Sequence, residues 1–431
     1  METVVISPPL KPVCGDVDLP GSKSFSNRAL ILAAQAESSV EIHNVAEADD
    51  TDILLSGLRK IGCPVDRRGQ RVTLSRPSLP LPQGVTIDIG HAGTAMRFLT
   101  AYLASLPVVE VVLCGSNRMH KRPIGPLVDS LRQLGASIDY LERDGCPPIR
   151  ISGIQEQQAS RVQITADVSS QFVSALLLVA PTLPKGLTLS LAGDVVSAPY
   201  IKMTEHLLRH FGVQCPLDQA GRYSIPHQPL KCSSYSVEPD ASGASYLWSI
   251  AALCGGEIGI KGLAPTSTQG DVHFVELLSW MGCTKSYSQF DGGIFRVRGP
   301  EQLLAGDFDL TEMPDVAQTL AVVAAFAKGE SQLNGLQTLR HKETDRIRAL
   351  ALELRSVGIE ATEQKAALRV RGGVVHPSRP IRTYDDHRMA MSFALLGTRV
   401  ENIVIEDPKV VSKSFPTYWD TLDTLGFRVE N

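Results

Sequence analysis

The stretch PIGPLVDSLRQLG, Pro123 to Gly135, reads as one whole helix with its own punctuation. Pro123 stands where a first helical residue is expected, and Ile124, Leu127, Val128, Leu131 and Leu134 keep helical spacing up to a glycine suited to the left-handed cap. Its last five residues recur along the chain. Leu58 to Gly62 reads LRKIG, Leu208 to Gly212 LRHFG, Leu278 to Gly282 LSWMG, Leu354 to Gly358 LRSVG, and Leu422 to Gly426 LDTLG. Each predicts a helix stopped by glycine, and the short apolar segment after each glycine predicts a strand. An alanine-rich series shares the register: Ala29 to Ala36, Thr94 to Ala104, Gln171 to Ala180, Ser242 to Cys254, Val316 to Ala327 and Arg388 to Leu396. These segments are apolar on most faces, which predicts buried helices. The period is roughly 70 residues, too long for a thin solenoid.

Six copies of a unit with two helices and several strands predict an α+β fold. Three copies lie on each side of Glu238 and Pro239, where a domain boundary is expected in a chain of 431 residues. Composition narrows the partners. With 42 basic and 46 acidic residues the net charge is −4, which gives no support for a nucleic-acid or anionic-membrane partner. Eight cysteines are scattered without CxxC pairs, as expected of reduced thiols in the cytoplasm. The start METVVISPPLKPV lacks the pattern of a targeting segment, and no run reaches the roughly 18 apolar residues that a membrane span requires.

The polar residues collect at the predicted helix starts. Pro20 to Arg28, PGSKSFSNR, places a glycine, hydroxyls and two cations before an apolar run. Unpaired N–H groups at a helix start carry partial positive charge, so such a segment suits phosphate or carboxylate, although a capped surface helix gives the same pattern. Asp50, Arg122, Ser197, Asp271, Lys342 with Glu343, and Lys413 mark the glycine-capped series. Lys23 with Arg28, Gly93 with Thr94, Ser169 with Ser170 and Gln171, Asp240, Asp315, and Asp386 with His387 and Arg388 mark the other. Cations at N-termini oppose the helix macrodipole by up to about 1 kcal/mol each, and a bound anion removes that conflict. Asp315 and Glu343 stand among these cations. Each can be a plain helix cap, or a carboxylate that exchanges protons with a substrate. The string YDDHR, Tyr384 to Arg388, contains ligand types, but adjacent residues rarely converge on one ion, so no metal is expected.

These residues resemble the 5-enolpyruvylshikimate-3-phosphate synthase family. The resemblance rests on LPGSKSFSNRA from Leu19, GHAGTAMRF from Gly90, RPIGPLVDSL from Arg122, SSQF from Ser169, GDVVSAPYI from Gly193, EPDASGASY from Glu238, MPDVAQT from Met313, HKETDR from His341, YDDHRMAM from Tyr384 and DPKVVSKSFP from Asp407. It implies two domains, residues 20–238 and residues 1–19 plus 239–431, each of three βαβαββ-like units of the inside-out α/β barrel type. Helix starts would then face an interdomain cleft holding the active site.

The implied reaction transfers the carboxyvinyl group of phosphoenolpyruvate to the 5-hydroxyl of shikimate 3-phosphate. Phosphate is released by addition and elimination, without cofactor or metal, in aromatic amino-acid (chorismate) biosynthesis. By the same resemblance Lys23, Ser24, Arg28, Ser169, Ser170, Gln171, Ser197, Tyr200, Asp315, Thr338 and Lys342 would bind shikimate 3-phosphate. Lys23, Gly93, Arg122, Gln171, Glu343, Arg346, Arg388 and Lys413 would hold phosphoenolpyruvate. Asp315 would take the hydroxyl proton, Glu343 would serve the methylene carbon, and Lys23 would assist phosphate departure. The resemblance also implies inhibition by glyphosate, while a monomer is the default expectation and the cysteine usage points to the cytoplasm.

His91, Thr338 and Phe98 depart from the commonest family pattern of Asn, Asn and Pro at these places. The sister enzyme acting on UDP-N-acetylglucosamine usually carries a cysteine five residues before its Arg-Pro pair. Here that position is Asn117, with Cys114 offset. A noncatalytic sensor of phosphorylated metabolites is the remaining alternative, and retention of both Asp315 and Glu343 argues against it.

Overall fold

The computed structural model describes residues 2–107, 110–165, 169–193, 196–290 and 292–430, so Asp194 and Val195 of the Gly193 string lie outside it. All six glycines that end the predicted helices have positive φ: 92° at Gly62, 111° at Gly135, 78° at Gly212, 106° at Gly282, 84° at Gly358 and 90° at Gly426. Left-handed backbone turns the chain out of the helix and toward the sheet. Strands follow five of them, Val65–Arg68, Ser137–Tyr140, Thr284–Ser288, Glu360–Glu363 and Arg428–Glu430. The segment after Gly212 differs. It contributes a single bridge, Leu217 with Tyr223, because Pro216 has no N–H to offer a ladder.

Among the described residues the strands form six separate sheets rather than one closed barrel. A complete sheet has a parallel edge strand, a central strand and an antiparallel hairpin. Gln83–Asp88 pairs in parallel with Glu110–Cys114, which pairs antiparallel with Ile149–Ser152, and Ser137–Tyr140 closes the hairpin. Three sheets borrow a strand from far along the chain. Ser234–Ser236 joins Val40–His43, Cys14–Val17 joins Glu257–Lys261, and Thr3–Ser7 lies between Ile403–Glu406 and Arg428–Glu430. The chain accordingly divides into two compact units, Gly21–Val237 and Met1–Pro20 with Glu238–Asn431.

Each unit has its own core. Strands such as Arg161–Thr165 alternate exposed and buried residues, so one sheet face is solvated. The alanine-rich helices are enclosed on almost all sides, and in Ala241–Cys254 every residue but the last is buried. Helices therefore fill the middle of each unit and sheets cover them. Short side chains such as alanine let the helices approach closely there.

Two cap glycines of one unit separate backbone strain from crowding. At Gly62 an added Cβ meets nothing nearer than 3.9 Å, whereas at Gly135 it would lie 2.7 Å from the Glu156 carbonyl oxygen. Gly62→Ala is expected to cost about 1 kcal/mol and Gly135→Ala about 3 kcal/mol, read by urea unfolding of the two variants side by side.

Candidate active site

In the unit Gly21–Val237, Lys23 opens the helix Lys23–Ala33 and pairs at 3.0 Å with Asp50, in the first turn of Asp49–Lys60. Arg28, one turn further on, is 1% exposed. Its Nε donates to Thr204 Oγ1 at 2.8 Å, Nη1 to the Ser24 carbonyl at 2.9 Å, and Nη2 to Ser174 Oγ at 3.2 Å and the Tyr200 carbonyl at 3.1 Å. The rings of Phe98 and Tyr200 lie 5.2 and 5.9 Å from its guanidinium carbon. Every one of these partners is uncharged, and burial pulls the Arg28 pKa down to about 10. A desolvated cation held only by neutral groups is well suited to an incoming anion.

Ser169 caps Ser170–Val179 and accepts the Gln171 N–H at 3.3 Å, while Gln171 Nε2 donates to Thr94 Oγ1 at 3.3 Å. Thr94 belongs to the first turn of Gly93–Ser105, so two helix entrances are tied side by side. The Arg122 guanidinium lies against Gly93, where an added Cβ would come 2.5 Å from Nη1. Only glycine admits that approach. Arg97 fixes the neighbourhood, donating to the Gly93 carbonyl at 3.2 Å and the Pro123 carbonyl at 2.9 Å. Ser197, at φ 54°, is the residue before Ala198–His210, and Tyr200 follows in that helix's first turn. His91 is exposed and shares a 3.1 Å hydrogen bond with Ser116 Oγ.

In the other unit the predicted residues gather around Arg346, itself 1% exposed. Its Nη1 meets Asp315 Oδ1 at 3.0 Å, Nη2 meets Glu343 Oε2 at 3.0 Å, and Nε meets Asp386 Oδ2 at 2.7 Å. Arg388 Nη2 reaches Asp315 Oδ2 at 3.2 Å, Lys342 Nζ reaches Asp315 Oδ1 at 3.3 Å, and Lys413 Nζ reaches Glu343 Oε1 at 2.7 Å. Burial alone would raise the Asp315 pKa. The charges of Arg388, Lys342 and Arg346 outweigh burial and hold it well below the usual carboxylate range. For Arg346, burial is likewise outweighed, here by Asp386, Glu343 and Asp315, and the guanidinium is more firmly charged than usual. Thr338 lies in the 3₁₀ turn Gln337–His341, and its Oγ1 is buried without a hydrogen-bond partner.

Two pairings escape a reading of the sequence. Asp386 of the YDDHR string caps His387–Ala394 and grips Arg346. Glu353, in mid-helix, is wholly buried. It accepts from both Arg379 Nη atoms at 2.8 Å, from Tyr384 Oη at 2.5 Å and from the Arg382 N–H at 3.2 Å. Tyr384 and Asp385 both have φ of 56°, so this carboxylate braces the turn that presents Asp386. The signal was a carboxylate on the face shared by Ile347, Leu350 and Leu354. Among the described residues no group of three His, Cys, Asp or Glu side chains could hold a metal ion, and no helix is long and apolar enough to cross a membrane.

Two repeat-built units, each gathering cations and hydroxyls at helix entrances, define a class of protein that handles small polyanions. The comparisons are specific. Residues 8–422 match the family model described as EPSP synthase (3-phosphoshikimate 1-carboxyvinyltransferase). The chain is 40% identical over 432 residues to the 3-phosphoshikimate 1-carboxyvinyltransferase of Klebsiella pneumoniae (strain 342), covering 99% of each chain. It is 40% identical over 441 residues to that of Vibrio cholerae serotype O1 (strain M66-2), covering 99% of this chain and 100% of the relative. The solved EPSP synthase of Acinetobacter baumannii superposes with a TM-score of 0.82 at 26% identity, over 100% of both chains. The chain belongs to the EPSP synthase family, and it is a transferase of the shikimate pathway.

The brace behind Asp386 is open to test. Glu353→Ala is expected to destabilise the protein by about 3 kcal/mol and Tyr384→Phe by about 1 kcal/mol, measured by urea unfolding.

Proposed function

We propose that this transferase moves the carboxyvinyl group of phosphoenolpyruvate to the 5-hydroxyl of shikimate 3-phosphate, with Asp315 and Glu343 exchanging the protons. The observation that carries the reading is the ring in which Arg346, Arg388, Lys342 and Lys413 hold these two carboxylates. In the addition step the 5-oxygen bonds to C2 of phosphoenolpyruvate, Asp315 takes the hydroxyl proton, and C3 gains a proton delivered by Glu343. In the elimination step C3 returns a proton to Glu343, the C2–O bond to phosphate breaks with Lys23 offsetting the departing charge, and the proton that Asp315 took leaves with the phosphate.

The same ring explains why an Asp held so firmly can act as a base. With no substrate bound, three cations share the Asp315 carboxylate and weaken its basicity. The carboxylate and phosphate of phosphoenolpyruvate draw Arg346, Arg388 and Lys413 to themselves, each charge-assisted hydrogen bond contributing roughly 1.5–3 kcal/mol. Asp315 then recovers proton affinity as the hydroxyl arrives. Lys23, Gly93, Arg122, Gln171 and Glu343 complete the phosphoenolpyruvate subsite. Shikimate 3-phosphate takes Ser24, Arg28, Ser169, Ser170, Gln171, Ser197, Tyr200, Thr338 and Lys342, along with Lys23 and Asp315. The neutral surroundings of buried Arg28 support that assignment.

Residues 20–238 and residues 1–19 plus 239–431 act as domains closing on the ligands. The enzyme works as a cytoplasmic monomer, and glyphosate occupies the phosphoenolpyruvate subsite. Eight free thiols are in keeping with a reducing compartment.

Asp315→Ala is expected to lower kcat by at least about 10²-fold with a much smaller change in shikimate 3-phosphate affinity, and wild-type turnover in that variant would remove Asp315 from the mechanism. Phosphate release from phosphoenolpyruvate is measured with shikimate 3-phosphate or UDP-N-acetylglucosamine as acceptor, EDTA present throughout. Release with the first acceptor alone is expected. Release with the second would transfer the reading to the sister activity, and silence with both would favour a sensor.

A further inference from the structure

One buried carboxyl of this unit has no part in the chemistry above. Asp271, in the 3₁₀ turn Gly270–His273, is 4% exposed. Ser242 Oγ donates to its Oδ2, and its Oδ1 has no hydrogen-bond partner. Ser242 Oγ also accepts from Arg388 Nη2 at 3.2 Å, the nitrogen that reaches Asp315 Oδ2 at 3.2 Å. One hydroxyl thus separates Asp271 from the arginine that holds the candidate base. Among the described residues no cation lies within ion-pair distance of Asp271. A buried carboxylate with one hydrogen bond and a bare oxygen is poorly stabilised, whereas the neutral acid is tolerated there.

We infer that Asp271 is a positioning residue that sets the anion affinity of this site through Arg388. As the neutral acid it leaves the whole guanidinium charge to Asp315 and the incoming anion, and as a carboxylate it competes for that charge. The groups facing it are Asp315, Arg388, Asp240 and the Ser242 hydroxyl, with Tyr246 Oη on Arg388 Nη1 at 3.5 Å. Burial and then the Asp315 charge push Asp271 up to about 7, against the pull of Arg388 and Ser242. Below that pH, Lys342, Arg346, Arg388 and Lys413 face three carboxylates, Asp315, Glu343 and Asp386. Above it Asp271 adds a fourth negative charge. Affinity for an anionic substrate therefore falls as pH rises through the titration.

The inference rests on the reading that phosphoenolpyruvate binds Arg388, and two pH series on wild type and Asp271→Asn test it. In the first, the ratio of wild-type to variant KM for phosphoenolpyruvate is followed from pH 6 to 8.5. The substrate's own titration cancels in that ratio, which is expected to rise by about 5- to 10-fold while the kcat ratio changes less. A flat KM ratio overturns the inference.

The second series needs no turnover. An acid whose native pKa exceeds its unfolded value makes the wild type lose stability as pH rises from about 4 to 7, a loss that the asparagine variant escapes. The difference in unfolding midpoint is expected to widen in the variant's favour over that range and then level off. A constant difference means that Asp271 does not titrate there and overturns the inference. Absent wild-type turnover removes the functional reading, and the proposed ligand with it, while the unfolding series still decides whether Asp271 titrates.

Discussion

The Arg346 guanidinium is the constraint on which the buried charge cluster of the second unit depends. Burying it forfeits hydration worth several kcal/mol, a loss offset only if its N–H groups meet well-placed carboxylates. Asp315, Glu343 and Asp386 supply them from three separate segments. One side chain therefore pins a 3₁₀ turn, a loop and a helix cap to a common point. Removing any partner leaves an under-compensated buried charge. The arrangement is consequently stiff.

Repetition explains how so many charged groups come to be near helix starts. Each repeat sends two helices inward beneath a small sheet, and every sheet begins with a parallel strand except the last named one, where Ile381 makes a single parallel bridge to Ile405. A parallel connection must cross over through a helix, so the helices of one unit acquire a shared sense. Their N-termini carry partial positive charge, and lysine or arginine placed there is unfavourable until an anion arrives. In the first unit the buried charge of Arg28 is met by hydroxyls, carbonyls and two aromatic rings, all of them uncharged.

Much of the fold was legible because its signals are local. The glycine that ends LRQLG and its five counterparts needs only φ space to be understood, and all six are left-handed. Alanine-rich helices announced their burial by composition. The strand expected after Gly212 is absent, because Pro216 has no N–H to offer a ladder. The exchanged strands were different. Nothing in Thr3–Ser7 or Ser234–Ser236 shows which sheet each completes, because strand pairing is a choice among distant partners with similar alternation. The candidate site divided in the same way. Lys23, Arg122, Asp271, Asp315, Glu343 and Arg388 stand at predicted helix starts, while Glu353 acts through neighbours remote in the chain.

The sequence by itself determined the repeat, the helix ends, the alternation of buried and solvated strand faces and the stock of anion-binding side chains. These follow from backbone sterics and from hydrophobic periodicity within a few residues. Only the tertiary structure decided which carboxylate answers which cation. Asp386 belongs to Arg346, Asp50 to Lys23 and Lys413 to Glu343, and Asp271 is left facing a serine. Electrostatic energy depends on distance and burial rather than on order along the chain. The protonation behaviour of the site is therefore a property of the folded arrangement alone.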